Sequence, residues 1–407
     1  MLPERQSRGN ATERARKRLL VLGAGPAQLG VLRAARDRGL FVIALDRDPA
    51  APGFEYADRR AVVSTEDEPA IGLLAAAEEL DGVIAAGIDW PVAIAARVAA
   101  RIGLPHPLAP ETAALAVSKQ RQRERLAEHE VPQPRWQVLT QVPDDLHVPC
   151  VVKPPDRQGQ KGLTLVRDRD RLPEAVEQAV AASRTNVAVV EELIQGPEVT
   201  VNAFSIGGVF HPLTVTDRLT ADEPAFGVAL AHAWPSEHET EGAVEVARAA
   251  ATALGIENGP TYTQVVLGPD GPKVMELAAR VGGGHDAELC LAALGIDLNG
   301  LALAAALGEP VSVPPAKPSG GACVRFLVAP PGTLESVEGI DEALAQEGIL
   351  DAHVYRRPGW VFTPLRRGAD RAGFVLVTGS SRDDALTKAD RAAELIRFET
   401  ADAEALV

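Results

Sequence analysis

The sequence predicts a mixed chain, a small parallel α/β unit followed by a larger α+β region. Three observations carry that prediction. Short apolar runs alternate with helix-period segments from residue 18 to about residue 104, the pattern of βαβ units. A proline-rich stretch, residues 105–110, interrupts the alternation. Beyond residue 198 the strand-like runs lengthen and include a hairpin signal.

The apolar run 18–22 stops at a glycine turn, the helix-period segment 27–38 follows, and Gly39 leads into the strand 40–45. Strands over 61–64 and 82–86 and helices over 68–80 and 91–102 complete this unit. A helix over 112–130, strands over 150–153, 163–167 and 187–191, and a helix over 172–182 form a second module. The third has strands over 198–206, 262–267 and 273–277 and helices over 241–254 and 288–306; several strands and two helices follow residue 322 and end near Phe398. The expected units are a disordered tail over 1–17, then 18–108, 109–192 and 193–407.

With 46% apolar and 24% charged residues, the chain is composed like a soluble globular protein. The net charge of -15 argues against nucleic acid as a partner, since that affinity depends on basic surfaces. Cys150, Cys290 and Cys323 are odd in number and show no CxxC spacing, which points to a reducing cytoplasm. No apolar run is long enough to cross a bilayer, so no membrane role is expected. Only 7 of the 41 basic Lys and Arg residues are lysine, yet Lys119, Lys153 and Lys161 fall close together.

The first glycine cluster is Gly23-Ala24-Gly25-Pro26-Ala27-Gln28, placed after a strand as in a dinucleotide fingerprint. Gln28 stands where the third glycine belongs, so a tight packing turn is the favoured reading over NAD. The second cluster joins Lys119, Lys153 and the loop Gln158-Gly159-Gln160-Lys161-Gly162. Free backbone N–H groups flanked by ammonium groups suit a polyphosphate; the plain alternative for each lysine alone is a solvated surface residue.

Glu191-Glu192-Leu193 lies between two strands, where hinge backbone can meet an adenine edge, and Glu198 opens the next strand, where a carboxylate can accept ribose hydroxyls. In isolation the paired Glu191 and Glu192 read as ordinary surface charges. Thr263 to Leu267 and Lys273 to Leu277 flank Gly268-Pro269-Asp270-Gly271. If the turn centres on Asp270, Gln264 faces Glu276 with Cβ atoms roughly 5 Å apart, and the two oxygens can share a hard cation such as Mg²⁺. A bulge in the hairpin would break that register. Arg280, Gly283 and His285 follow. The guanidinium suits a carboxylate or phosphate, and His285 reads as a hydrogen-bonded structural residue ahead of a base.

These motifs, in this order, resemble the ATP-grasp superfamily, most closely its carboxylate–amine ligases. The resemblance implies a preATP-grasp α/β domain over 18–108, a lid with its leading helix over 109–192, and a C-terminal core over 193–407. It implies that Lys119 and Lys153 hold ATP phosphates, that Gln158 to Gly162 covers them, that Glu191, Glu192 and Leu193 form the adenine hinge, and that Glu198 meets the ribose. It further implies that Glu276, with Gln264, binds Mg²⁺ or Mn²⁺, and that Arg280 and Lys153 serve catalysis. Arg280, Gly283, His285, Arg218 and His232 would face substrate, with Arg325 near the phosphates. An acidic residue often stands at position 264 in this family and an asparagine at 278, where this chain has Gln264 and Ala278; that leaves one or two metal ions open.

The implied activity is ADP-forming ligation of a small carboxylate to a small amine through an acyl phosphate. A homodimer is an expectation of the resemblance alone. Three alternatives stay open on the sequence: a purine-pathway or bicarbonate-using ATP-grasp enzyme, an NAD-dependent oxidoreductase, and a non-catalytic nucleotide-binding protein.

Overall fold

The computed structural model describes residues 16–143 and 146–401. Most of the expected tail over 1–17 lies outside these. Its last residues, Arg16 and Lys17, pair with Asp58 and Glu309.

The first four strands, β1 (Arg18–Leu22), β2 (Phe41–Asp46), β3 (Arg59–Val62) and β4 (Gly82–Ile84), form a parallel sheet in the order β3-β2-β1-β4. Helices α1 (Leu29–Asp37), α2 (Glu68–Ala77) and α3 (Trp90–Arg101) connect or follow them. The apolar runs are continuous because both sheet faces are covered. Leu20 and Leu22 pack with Ile71 and Ile94, while Leu19 and Val21 pack with Leu32 and with Leu303 from much later in the chain.

The helix expected over 112–130 is two helices, α4 (Pro110–Ala116) and α5 (Lys119–Glu128). Ser118 divides them, its hydroxyl accepting the Arg121 N–H at 3.4 Å as an N-cap. Lys119 thereby starts a helix, and its N–H reaches the Pro155 carbonyl at 2.8 Å. Strands β5 (Trp136–Leu139), β6 (Cys150–Lys153), β7 (Thr164–Val166) and β8 (Ala188–Glu192) form an antiparallel sheet, β5-β8-β6-β7, covered on one face by α6 (Leu172–Ala182). Alternation sends Cys150, Val152, Ala188 and Val190 toward α6. Lys153 and Glu191 therefore project from the opposite face.

The largest sheet has eight strands in the order β13-β12-β9-β10-β11-β14-β18-β16. They are β9 (Glu198–Ile206), β10 (Val209–Thr220), β11 (Ala229–Trp234), β12 (Gly259–Gly268), β13 (Gly271–Ala278), β14 (Gly321–Leu327), β16 (Ile349–Val354) and β18 (Gly373–Gly379). A three-stranded sheet, β17-β15-β19, is built from β15 (Gly332–Glu338), β17 (Val361–Phe362) and β19 (Arg397–Ala401). Helix α7 (Glu241–Ala253) covers Val199, Val201, Val265 and Leu277. The intervening residues of those strands (Glu198, Thr200, Asn202, Tyr262, Gln264, Glu276) consequently face the other way.

The helix expected over 288–306 is likewise divided, into α8 (Asp286–Leu294) and α9 (Leu298–Ala306), by Gly295 in the left-handed conformation at φ +68. Two further helices, α10 (Ile340–Leu344) and α11 (Arg382–Leu395), complete the chain, and α11 packs Ala385 and Ala389 on Cys323, Val375 and Val377.

Candidate active site

Three separate elements bring cations around Glu276. Lys119 comes from the first turn of α5, Lys153 from the end of β6, and Arg280 from the segment after β13. Lys119 Nζ lies 2.7 Å from Glu276 Oε1 and 2.7 Å from the Arg157 carbonyl oxygen. Lys153 Nζ lies 2.7 Å from Glu191 Oε2, and Arg123 Nε donates to the other oxygen of Glu191 at 2.8 Å. Arg280 Nε donates to Asp89 Oδ1 at 2.7 Å. Asp89 comes from the turn before α3, so the first sheet's unit joins this charge cluster.

The electrostatics couple these groups. Burial opposes the charged form of Lys119, but Glu276, Asp89 and Glu191 outweigh it and hold the ammonium above its ordinary value. For Lys153 burial prevails over the attraction of Glu191, aided by repulsion from Arg123 and Lys119, and the ammonium sits below its ordinary value. Burial would neutralise Glu191, yet Arg123 and Lys153 bring its carboxyl down to about 2. Glu276 is half-buried, and although burial opposes its charge, Lys119, Lys153 and Arg280 keep it below the usual carboxylate range. The arrangement is a set of cations held on carboxylates, able to exchange those partners for an incoming anion.

The hairpin does place Gln264 opposite Glu276, though not through the simple turn expected. Gly268 pairs with Gly271, so the turn centres between Pro269 and Asp270. A bulge between Gln264 and Val265, which leaves Met275 outside the pairing, then shifts the register by one. The two departures cancel. Gln264 donates its amide N–H to the Tyr262 hydroxyl at 3.2 Å, which leaves its carbonyl oxygen for another partner. Lys119 takes only Oε1 of Glu276. An amide oxygen beside a carboxylate oxygen is a donor set that fits Mg²⁺, with a single formal charge on the protein side.

The loop expected to cover phosphates lies between the first unit and the large sheet. Gln158 Oε1 accepts the Asp89 N–H at 2.9 Å. Gln160 donates to the Gly227 carbonyl at 3.4 Å and accepts the Gly368 N–H at 3.3 Å. Gly159 and Gly162 take positive φ, +64 and +74, while Gly159 and Lys161 are exposed. At the hinge, Glu192 accepts from Arg135 Nε at 2.6 Å and from Lys273 at 3.3 Å, and Leu193 is half-buried. Gly196 follows at φ +152, where an added Cβ would come 2.2 Å from the Leu267 carbonyl oxygen. Only glycine allows the hinge to lie that close to the hairpin.

On the same sheet face, Glu198 is engaged by Arg218, which also donates to the Gly227 carbonyl at 2.7 Å. The expected ribose and substrate residues are thus partners of each other. His232 pairs across from Arg218 on β11. Burial, with Arg218, Arg371 and His285 nearby, pushes its imidazole down to about 4. His285 takes a left-handed φ of +58, hydrogen-bonds the Tyr355 hydroxyl at 2.6 Å, and stacks on Phe374 with ring centroids 3.6 Å apart. Gly283 packs on the Gly87 backbone, where a Cβ would come 2.7 Å from the carbonyl oxygen.

Arg325 is not brought to this face. Val324 and Phe326, its neighbours on β14, pack with Leu289 and Phe374, so alternation turns Arg325 to the opposite side, where it meets Asp390 of α11 at 3.2 Å. Arg371, from the segment before β18, lies near Arg218, Tyr262 and Asp286, with its guanidinium 3.6 Å from the Phe326 ring centroid. No spacing or glycine signal marks Arg371, Asp89 or Tyr355 in the sequence, since their proximity arises from contacts across the chain.

The glycine turn after β1 is filled from within. Gln28 is fully buried, accepts the Gly25 N–H at 3.0 Å and donates to the Ala86 carbonyl at 2.6 Å. Asp46 accepts the Ala24 N–H at 3.0 Å. The N–H groups a dinucleotide pyrophosphate would use at Ala24 and Gly25 are already engaged, which counts against the oxidoreductase alternative.

Comparison with known proteins matches residues 116–284 to an ATP-grasp domain and residues 325–401 to the L-amino acid ligase C-terminal domain 2. An uncharacterized protein of Sinorhizobium fredii is 29% identical, over 90% of this chain and 79% of its own length. A formate-dependent phosphoribosylglycinamide formyltransferase of Burkholderia thailandensis is 28% identical, over 93% of this chain and 95% of its own. The crystal structure of an L-amino acid ligase from Bacillus licheniformis superposes with a TM-score of 0.81 at 22% identity, covering 95% of this chain and 99% of that one.

Proposed function

We propose that this chain, which carries an ATP-grasp domain over residues 116–284 and an L-amino acid ligase C-terminal domain 2 over residues 325–401, is an ATP-grasp ligase that joins a small carboxylate, most simply an amino acid, to an amine through an acyl phosphate, with release of ADP and phosphate. The observation that carries this reading is the convergence of Lys119, Lys153, Glu276 and Arg280 in one charge cluster from separate elements. Those are the groups a triphosphate and a reacting carboxylate require.

In this reading Lys119 and Lys153 leave Glu276 and Glu191 for the phosphates of ATP, and the 158–162 loop closes over them. Glu276 and Gln264 would hold Mg²⁺, which when bound neutralises phosphate charge. Arg280, steadied by Asp89, orients the carboxylate and then the acyl phosphate. Closure of the loop between the first unit and the large sheet excludes water, which protects the acyl phosphate from hydrolysis. The amine then attacks the acyl carbon, and phosphate leaves.

A screen of ADP release across pairs of amino acids and small carboxylates, with mass analysis of products, tests the proposal. Turnover that yields an amide supports it. Binding of ATP with no ADP release for any pair would favour a nucleotide-binding protein instead. The likeness to a formate-dependent formyltransferase favours a second reading, in which the amine is a phosphorylated ribosyl compound. Inclusion of glycinamide ribonucleotide with formate in the same screen separates the two.

A further inference from the structure

The phosphate-covering loop is tied to a turn that reaches another unit. Asp156, at the start of the loop, is buried, and its carboxylate accepts the Arg184 N–H at 2.9 Å, the Thr185 N–H at 3.1 Å and the Ser183 hydroxyl at 3.2 Å. The Asp156 carbonyl accepts in turn from the Arg184 guanidinium. Arg157 Nε donates to the Ala182 carbonyl at 2.6 Å. Hydrogen bonds to an ionised carboxylate are strong, so the loop and the 182–185 turn at the end of α6 form one body.

Arg184 carries this body to the first unit. Its guanidinium lies over the Trp90 ring, 4.1 Å from the centroid, and meets Glu66 at 2.7 Å. Trp90 opens α3 and Glu66 precedes α2, so both stand beyond the carboxyl ends of strands in the parallel sheet. Glu66 is exposed, and its ion pair contributes little by itself. The half-buried guanidinium on the half-buried indole is the stronger contact. Beside Trp90, the Asp89 N–H donates to Gln158 Oε1 of the same loop at 2.9 Å, and the Asp89 carboxylate accepts Arg280 Nε at 2.7 Å. Asp89 holds the N-cap position of α3 without capping it, which leaves its carboxylate for Arg280. The Asp89–Trp90 turn thus meets the loop twice, through Gln158 and Arg184, and meets Arg280 once.

We propose that Arg184 is a positioning residue that ties closure of the phosphate-covering loop to the Asp89–Trp90 turn and, through Asp89, to Arg280. This rests on the ligase reading for the role of Arg280 and deepens it: the carboxylate-orienting arginine is set when the nucleotide side is shut. Arg184 acts through Asp156 and Trp90, not on a reacting atom. With nucleotide bound, the loop lies against the turn, Gln158 holds the Asp89 backbone, and the Asp89 carboxylate fixes the Arg280 guanidinium. Nucleotide binding and order in the turn are then linked, and each strengthens the other. Without the Arg184–Trp90 contact the loop lifts more often. Water then adds to the acyl carbon, phosphate leaves, and the free carboxylate is regenerated with no amide formed.

The test is hydrogen–deuterium exchange of the full-length protein and of Arg184→Gln, Arg184→Lys and Trp90→Leu, each with and without saturating Mg–ADP. In the natural protein Mg–ADP should slow exchange over residues 87–92 as well as in the 154–162 loop. In Arg184→Gln and Trp90→Leu the slowing over 87–92 should shrink about tenfold, while that at the 188–192 hinge stays. Arg184→Lys should recover part of it, since an ammonium keeps the ion pair with Glu66 but lacks the flat guanidinium face. Arg184→Gln should also release more ADP per amide formed than the natural protein. A lower thermal midpoint with natural protection over 87–92 marks a merely structural residue and overturns the proposal. Mg–ADP that leaves 87–92 unprotected in the natural protein, or an unchanged ratio of ADP to amide, overturns it as well. Protection that depends on Arg184 in a protein that forms no amide with any substrate pair leaves the coupling standing and removes the ligase reading. Natural protection in Arg184→Gln of a chain that does form an amide removes the coupling and leaves the ligase reading.

Discussion

The ammonium of Lys119 lies 2.7 Å from the carboxylate of Glu276, although the two residues are far apart in sequence and belong to a helix and a hairpin. The same carboxylate faces Gln264 across the hairpin. Lys119 thus occupies one oxygen of the residue proposed to hold the metal ion. Lys119→Met would leave the half-buried Glu276 with less compensation, at a stability cost of about 1 to 2 kcal/mol. The thermal midpoint should fall, and ADP affinity should fall with it. Unchanged values of both would detach Lys119 from the site.

Lys153→Ala and Glu276→Ala should abolish ADP release while far-ultraviolet circular dichroism stays that of the natural protein. Lys153 is held by Glu191 and Glu276 by Lys119, so each truncation removes a group proposed to meet the phosphates or the cation. ADP release at the natural rate from either variant contradicts the site assignment.

Gln264→Glu should set a second carboxylate beside Glu276 and tighten divalent-ion binding. Mn²⁺ titration followed by electron paramagnetic resonance in the presence of ADP reads this directly. Roughly tenfold tighter binding is expected from the added formal charge. A weaker or unchanged Mn²⁺ affinity would show that the hairpin face does not receive the ion.

His232 predicts a pH dependence of stability. Its folded value is about 4 against an ordinary 6.5, so the unfolded chain binds the extra proton between those values. Stability from this group is full above pH 6.5 and is lost as the pH falls toward 4. The loss between pH 7 and pH 5 is roughly 2 kcal/mol. Urea unfolding of His232→Asn should show that much less acid sensitivity over the same interval.

Arg325→Ala should change ADP release by less than about twofold, because its partner is Asp390 on the far face of the sheet. Gln28→Gly should lower the thermal midpoint through loss of the Gly25 and Ala86 hydrogen bonds, without giving affinity for NADH. NADH binding by that variant would reopen the dinucleotide reading of the turn.

Local chemistry made much of this protein legible before any coordinates. The parallel unit follows from apolar runs that both faces of a sheet must bury, and the helix over 172–182 and the strand over 198–206 have their observed bounds because caps, prolines and alternation act within a few residues. Lys119, Lys153, Gln264, Glu276 and Arg280 stood out because lysine is scarce here and a hairpin signal sets near neighbours. The Gln264–Glu276 pairing was correct through two compensating irregularities, an off-centre turn and a bulge, neither of which a count of residues reveals.

Tertiary structure alone decided which charges meet. Asp89 reaches Arg280, Arg218 turns to Glu198, Arg325 faces α11, and Arg371 lies over the Phe326 ring. Sequence determines the periodicity and donor type of each side chain. Which partner a buried charge finds depends on how whole sheets pack against one another, since that packing sets both distance and exclusion of water.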